Sequence, residues 1–335
     1  MKKTALILVF LCIVTVFSGC RKPMPRSGEN EDKIKIVCTV FPIYDWVNSI
    51  IGADSGRFSV SLLGGGADLH SYQPTVEDII NIRTCDLFLY VGGSSDSWVR
   101  KIADGDGKMI SLFEILHDDL LAERPSAVHG EHAHEHEHEH AHGHEEDGAY
   151  DEHVWLSLRN ARGAVAAITE EICGMDAQNA ASYRLNAKKY ESELEMLDSE
   201  YENAVSAFPD KTVVFADRFP FLYLTEDYGI ECFAAFPGCS ADSEASFETV
   251  AYLSDKVARL GKRTVLVLEN SKQNIAEAVL KNAGVTGSAA VMNSCQSVTR
   301  ADIENGASYI DIMRANLKPL TAALGSDSEE QGDKK

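Results

Sequence analysis

No Cys-x-x-Cys pair occurs in the 335 residues, and the cysteines after Cys20, at Cys38, Cys85, Cys173, Cys232, Cys239 and Cys295, are scattered. That spacing excludes a zinc ribbon and a thioredoxin-like redox site. Most of these residues are expected as buried free thiols, with Cys232 and Cys239 the one pair close enough in sequence to consider as a disulfide. Positive charge is also scarce: 31 Lys and Arg against 52 Asp and Glu leave a net charge of −21. A nucleic-acid partner is excluded on that ground, because phosphates need a basic surface. No H-x-x-x-H, H-x-H or G-x-S-x-G stretch occurs outside one low-complexity run, so common hydrolase patterns are missing. The apolar run Ala5–Phe17 falls short of the roughly 20 residues a spanning helix needs.

What that run does form is an export signal. Lys2 and Lys3 precede it and Ser18-Gly19-Cys20 closes it, in the manner of a bacterial lipobox with Cys20 as the lipidated residue. Residues 1–19 are then the signal, and the polar residues 20–32 form a flexible tether to the extracytoplasmic face of a membrane.

From Lys33 onward short apolar runs alternate with amphipathic stretches. Lys33–Val40, Arg57–Leu63, Asp86–Gly92 and Lys108–Leu112 read as strands, and Lys211–Asp217, Ile230–Phe236, Arg263–Asn270 and Ser288–Asn293 repeat the rhythm. Such alternation indicates an α/β fold with helical crossovers between parallel strands. The expectation is two lobes, 33–175 and 209–324, each with a four-stranded, mainly parallel sheet, and a polar tail at 325–335. No sequence repeat relates the halves. Between them, Tyr183, Ala187, Tyr190, Leu194, Leu197, Tyr201 and Val205 recur every three or four residues. One long linker helix over 176–208 follows, capped by Asp176 and stopped by Pro209.

Nine of the eleven histidines fall between His129 and His153. His129, His132, His134, His136, His138, His140, His142 and His144 alternate with Glu, Ala and Gly, and residues 126–149 cannot bury enough apolar area to form a packed structure. The run offers many imidazoles suited to borderline metals such as zinc. His153 differs, because Val154, Trp155 and Leu156 anchor it in a wall while Asp151 and Glu152 stand ready to orient its ring. His70 sits in Gly64–Thr75, a loop after a strand and before a helix, where parallel strands present ligands. Two histidines on separate rigid supports make half of a tetrahedral site.

These stretches in order, Gly-Ala-Asp-x-His-Ser-Tyr-x-Pro-Thr, a His-rich insertion, His-x-Trp-Leu, the helix Tyr183–Asp198, Gly238–Ser246 and Ser308–Leu317, resemble the cluster A-I solute-binding lipoproteins of bacterial zinc and manganese ABC importers. The resemblance covers nearly all of the chain after Cys20. It implies two lobes joined by a rigid helix, one metal in the cleft, and a monomer that delivers it to a permease and ATPase. Two departures matter. Leu69 stands where such proteins have proline, and Ala216 falls where they supply a third ligand. Asp217 is the nearest donor, although it could instead pair with Arg218 or cap the next turn. Glu269, Cys295 or water are the candidates for the fourth position. Zn²⁺ is the expected metal on account of the histidine run, with Mn²⁺ the alternative. An adhesin or metal buffer without a transporter, and more remotely a zinc hydrolase, are the rival functions.

Overall fold

The computed structural model describes residues 33–52, 56–65, 67–102, 107–124, 150–238 and 244–325. Cys20, Cys239 and the histidines from His129 to His144 lie outside them, as do the expected signal, the tether and the polar tail beyond Gly325.

All eight expected strands form. The first sheet holds β1 (Ile34–Cys38), β2 (Phe58–Leu62), β3 (Leu87–Tyr90) and β4 (Lys108–Ser111) in the order β2-β1-β3-β4. The second holds β5 (Thr212–Phe219), β6 (Glu231–Pro237), β7 (Thr264–Leu268) and β8 (Ser288–Met292) in the order β6-β5-β7-β8. Every pairing within the sheets is parallel. The two orders are the same topology, so the halves repeat in fold although not in sequence. In each, the chain starts centrally, steps to one side and returns to the other, which opens a crevice at the carboxyl ends of the strands.

The crossovers are α1 (Phe41–Ile51), α2 (Val76–Thr84) and α3 (Leu112–Ile115) in the first half, then α4 (Leu158–Met175) and α5 (Ala180–Ser206). The second half adds α6 (Leu222–Tyr228), α7 (Phe247–Leu260), α8 (Asn274–Ala283), α9 (Arg300–Glu304) and α10 (Tyr309–Leu324). Thr75 caps α2 through a reciprocal box with Asp78, as its position in the sequence suggests.

The long helix is α5, and its buried face consists of Tyr183, Ala187, Tyr190, Leu194, Leu197, Tyr201 and Val205, the stripe read from the sequence. It is shorter than expected at its start. Asp176 ends α4 instead of capping α5, because its carboxylate accepts from Asn179 Nδ2 at 2.8 Å and Tyr183 OH at 2.7 Å and pairs with Arg57 at 2.8 Å. The 27 residues of α5 span about 40 Å. Its early turns pack on α1 and α4, its later turns on α6 and α10. Tyr190 OH donates to Asp45 Oδ2 at 2.9 Å in the first lobe. Tyr201 stacks on Tyr228 of the second lobe at 5.2 Å.

One apolar core runs through both lobes: Trp46 and Ile50 of α1, Trp155, Ile168 of α4, Leu194 and Leu197 of α5, Phe215 of β5 and Met313 of α10 belong to it. Smaller clusters cover the outer faces, Val37 and Phe88 beneath the first sheet and Val214, Ala216 and Val265 beneath the second. Lobes that share a core cannot part widely without exposing it. Among the described residues no helix is long and apolar enough to cross a membrane.

The register of α5 is testable at adjacent residues. Leu197 is fully buried, so Leu197→Ala lowers unfolding stability by about 2–5 kcal/mol. Met196 is 57% exposed, so Met196→Ala stays within about 0.5 kcal/mol. Urea titration of both variants provides the comparison.

Candidate metal centre

The site begins at the carboxyl end of β2. There Asp68 caps a 3-10 turn, Leu69–Ser71, with its Oδ1 accepting the His70 backbone N–H at 3.0 Å. Leu69 is buried in the shared core, so the leucine that replaces the expected proline anchors the turn by packing. That turn aims the His70 imidazole toward His153, with Nδ1 2.8 Å from Ser95 Oγ.

His153 lies on the segment that enters α4 and is fully buried. Asp151 holds it twice: Oδ1 accepts its backbone N–H at 2.8 Å and faces its ring Nδ1 at 2.9 Å. An ionised carboxylate can only accept, so Nδ1 carries the proton and Nε2 presents a lone pair. The wall behind it is fixed by Trp155, whose indole N–H donates to the Ser294 carbonyl of the second lobe at 2.9 Å. Gly238 closes the other side. A Cβ there would stand 2.7 Å from the Phe219 carbonyl and 3.2 Å from His153 Cε1, so only glycine lets β6 approach the ring.

The two imidazoles meet. His70 Nε2 and His153 Nε2 are 3.2 Å apart. Two ligands at 2.0–2.1 Å on a tetrahedral zinc ion are separated by about 3.3–3.4 Å, so the pair spans close to one edge of such a polyhedron. Burial holds the His70 pKa below its ordinary value, helped by His153 and Arg218 and opposed by Glu152 and Asp68. The neutral, metal-binding form is thereby favoured.

A shell of acids surrounds the pair. Glu152 Oε1 accepts from Ser94 Oγ at 2.6 Å and the Ser95 N–H at 2.8 Å. Its Oε2 is buried without a hydrogen-bond partner, 4.0 Å from His70 Nδ1. Gly93 makes room for this side chain, since a Cβ would lie 2.4 Å from Glu152 Cγ. Asp96 caps the Val91 and Gly92 N–H groups, and burial pushes its pKa up to about 6. A buried, unpaired carboxylate oxygen beside two imidazoles suits a cation's site.

The remaining predicted donors make other contacts. Ala216 packs in the cluster beneath the second sheet, and its methyl group has no atom to offer a metal. Asp217 sits in the register shift of β5 between Phe215 and Arg218, and its Oδ1 accepts the Arg218 N–H at 2.8 Å. Both Glu269 oxygens accept from Ser294, from its N–H at 2.9 Å and its hydroxyl at 2.6 Å. Cys295 is fully buried, and burial raises its thiol pKa well above the ordinary value. Among the described residues no group of three or more His, Cys, Asp and Glu stands ready to hold a metal ion. Cys38, Cys85, Cys173, Cys232 and Cys295 are free thiols.

Sequence reasoning missed Ser95, Arg218 and the structural use of Asp68. Ser94-Ser95 follow β3 at its carboxyl end, a place where ligand-orienting groups are expected. Arg218 Nη1 reaches across to Asp68 Oδ2 at 2.9 Å. A cavity of about 210 Å³ lies behind Asp151 and Gly238, but neither histidine lines it.

Both the sequence and the fold are similar to known proteins. The family model described as the zinc-uptake complex component A, periplasmic, matches residues 36–323. The zinc-binding protein AdcA of Streptococcus pyogenes is 29% identical over 329 residues, covering 94% of this chain, which spans 60% of that protein's length. The high-affinity zinc uptake system protein ZnuA of Bacillus subtilis is 28% identical over 96% of this chain and 98% of its own. The Zn(II)-bound ZnuA-like domain of Streptococcus pneumoniae AdcA superposes with a TM-score of 0.67 at 28% identity, over 87% of this chain and 99% of that domain. The metal-dependent lipoprotein YcdH of Bacillus subtilis does so at 0.70 and 26%, over 87% and 99%.

Asp151 orients a donor without being one. Asp151→Asn accordingly lowers the affinity of the tight site for a divalent metal by about 10–100-fold while leaving the number of tight sites unchanged. Competition against a chromophoric chelator measures both quantities.

Proposed function

Since the chain belongs to the zinc-uptake complex component A family, we propose that it is the extracytoplasmic receptor of an ABC importer, taking Zn²⁺ between His70 and His153 and passing it to a membrane permease. The observation that carries this reading is the 3.2 Å approach of two Nε2 atoms, each presented by a ring held from its Nδ1 side. Such oriented imidazoles suit zinc better than manganese, which prefers oxygen, and AdcA and ZnuA among the relatives named above bear zinc in their names. Zinc is cargo here, so the protein works as a receptor and not as an enzyme.

The second lobe completes the enclosure. Asp217, at the bulge of β5, is the carboxylate we assign as third donor, with water in the remaining position. Glu269 and Cys295 are left out of the ligand set, since the first is committed to Ser294 and the second is sealed in the core. The histidines from His129 to His144 form a collecting segment just ahead of the site, fast and modest in affinity. Cys20 carries the lipid that keeps the receptor at the membrane, and the shared core restricts the lobes to small shifts as metal enters and leaves.

The test is isothermal titration with Zn²⁺ and Mn²⁺. His70→Ala and His153→Ala each lose at least the 10–100-fold that outer partners alone are worth, and Asp217→Asn loses less than either. Deleting Val128–His144 leaves one tight site and reduces uptake only when zinc is scarce. A deletion that abolishes the tight site overturns this division of labour.

A further inference from the structure

Arg218 is a cation beside a proposed cation site, and that calls for a reason. Its guanidinium is 29% exposed and donates to Asp68, 27% exposed, at 2.9 Å. The other oxygen of Asp68 accepts the His70 N–H at 3.0 Å. One carboxylate therefore joins the backbone of a first-lobe imidazole to a side chain of β5. Arg218 reaches that point because the register of β5 against β6 slips between Phe215 and Arg218, which re-aims the strand's last side chains.

The two imidazoles are secured unequally. His153 is fully buried, doubly held by Asp151, and flanked by a tryptophan tied to the second lobe. His70 is partly exposed, and its ring is held by a serine hydroxyl on the first lobe. Of the two, His70 has the greater freedom to leave metal-binding spacing. The Asp68–Arg218 pair is the hydrogen-bonded tie that runs from its turn to the second lobe.

Resting on the reading that His70 and His153 take the metal, we propose that Arg218 is a positioning residue: through Asp68 it pins the His70 turn to the second lobe, keeps the two Nε2 atoms at chelating distance, and so slows metal release. Electrostatics alone argues the opposite. Removing a guanidinium near a divalent cation, and freeing the Asp68 carboxylate, should tighten binding. Partial exposure and pairing weaken that repulsion through screening, which leaves geometry the larger effect. The two accounts predict opposite signs.

Stopped-flow transfer of Zn²⁺ from the loaded full chain to a chelator decides between them. Arg218→Gln and Asp68→Asn each speed release by about 10-fold, the double variant releases no faster than either single one, and Arg218→Lys recovers part of the loss. Asn at 68 still caps the His70 turn, so the fold is kept. Release from Arg218→Gln at the native rate or slower overturns the proposal, as does a double variant whose effect is the sum of the two. If His70→Ala leaves Zn²⁺ affinity unchanged, the site reading fails and takes this inference with it. Loss in His70→Ala beside native release in Arg218→Gln defeats the inference alone.

Discussion

Two imidazole nitrogens brought within 3.2 Å of each other are the constraint around which the first lobe is arranged. Holding them at that spacing requires each ring to be gripped from behind. Asp151 does this for His153 with one oxygen serving both backbone and ring, and Ser95 does it for His70. Leu69, Val154, Trp155 and Leu156 then convert those hydrogen bonds into fixed positions by sinking the neighbouring residues into the core. Packing defines where the rings are, and hydrogen bonds define which nitrogen faces the crevice.

The architecture around this pair favours rigidity. Both sheets draw on one continuous core, and α5 lies along it with tyrosines engaged on either side. A hinge that swings wide would have to expose that core, at a cost set by the apolar area uncovered. Motion is consequently confined to what lies outside the core, which means the turns at the strand ends. Among them the His70 turn is tied to the second lobe by a partly exposed ion pair, whereas His153 is sealed.

Charge is arranged to the same end. Asp68, Asp151 and Glu152 stand within one residue's reach of the two imidazoles, and Glu152 keeps one buried oxygen unpaired. The carboxylates of Asp68 and Asp151 hold the two histidines in place, while the net charge of −21 biases the surrounding solution toward cations.

Much of this was legible before any coordinates. The eight strands, the stripe of α5 and the hold of Asp151 on the His153 ring follow from local pattern, because periodicity and neighbouring residues report burial directly. The start of α5 was misplaced, since Asp176 could cap or terminate and a distant Arg57 weighs on the outcome. The second lobe's contact with the His70 turn, from Arg218 to Asp68, was not legible at all. Which of Ala216, Asp217 and Arg218 faces the crevice depends on a register slip in β5, and strand alternation read one residue at a time cannot foresee a bulge. The sequence alone therefore determined the two imidazoles and the scaffold that carries them. Tertiary structure decided their spacing, and decided that an arginine from β5, paired with Asp68, is what reaches across to the His70 turn.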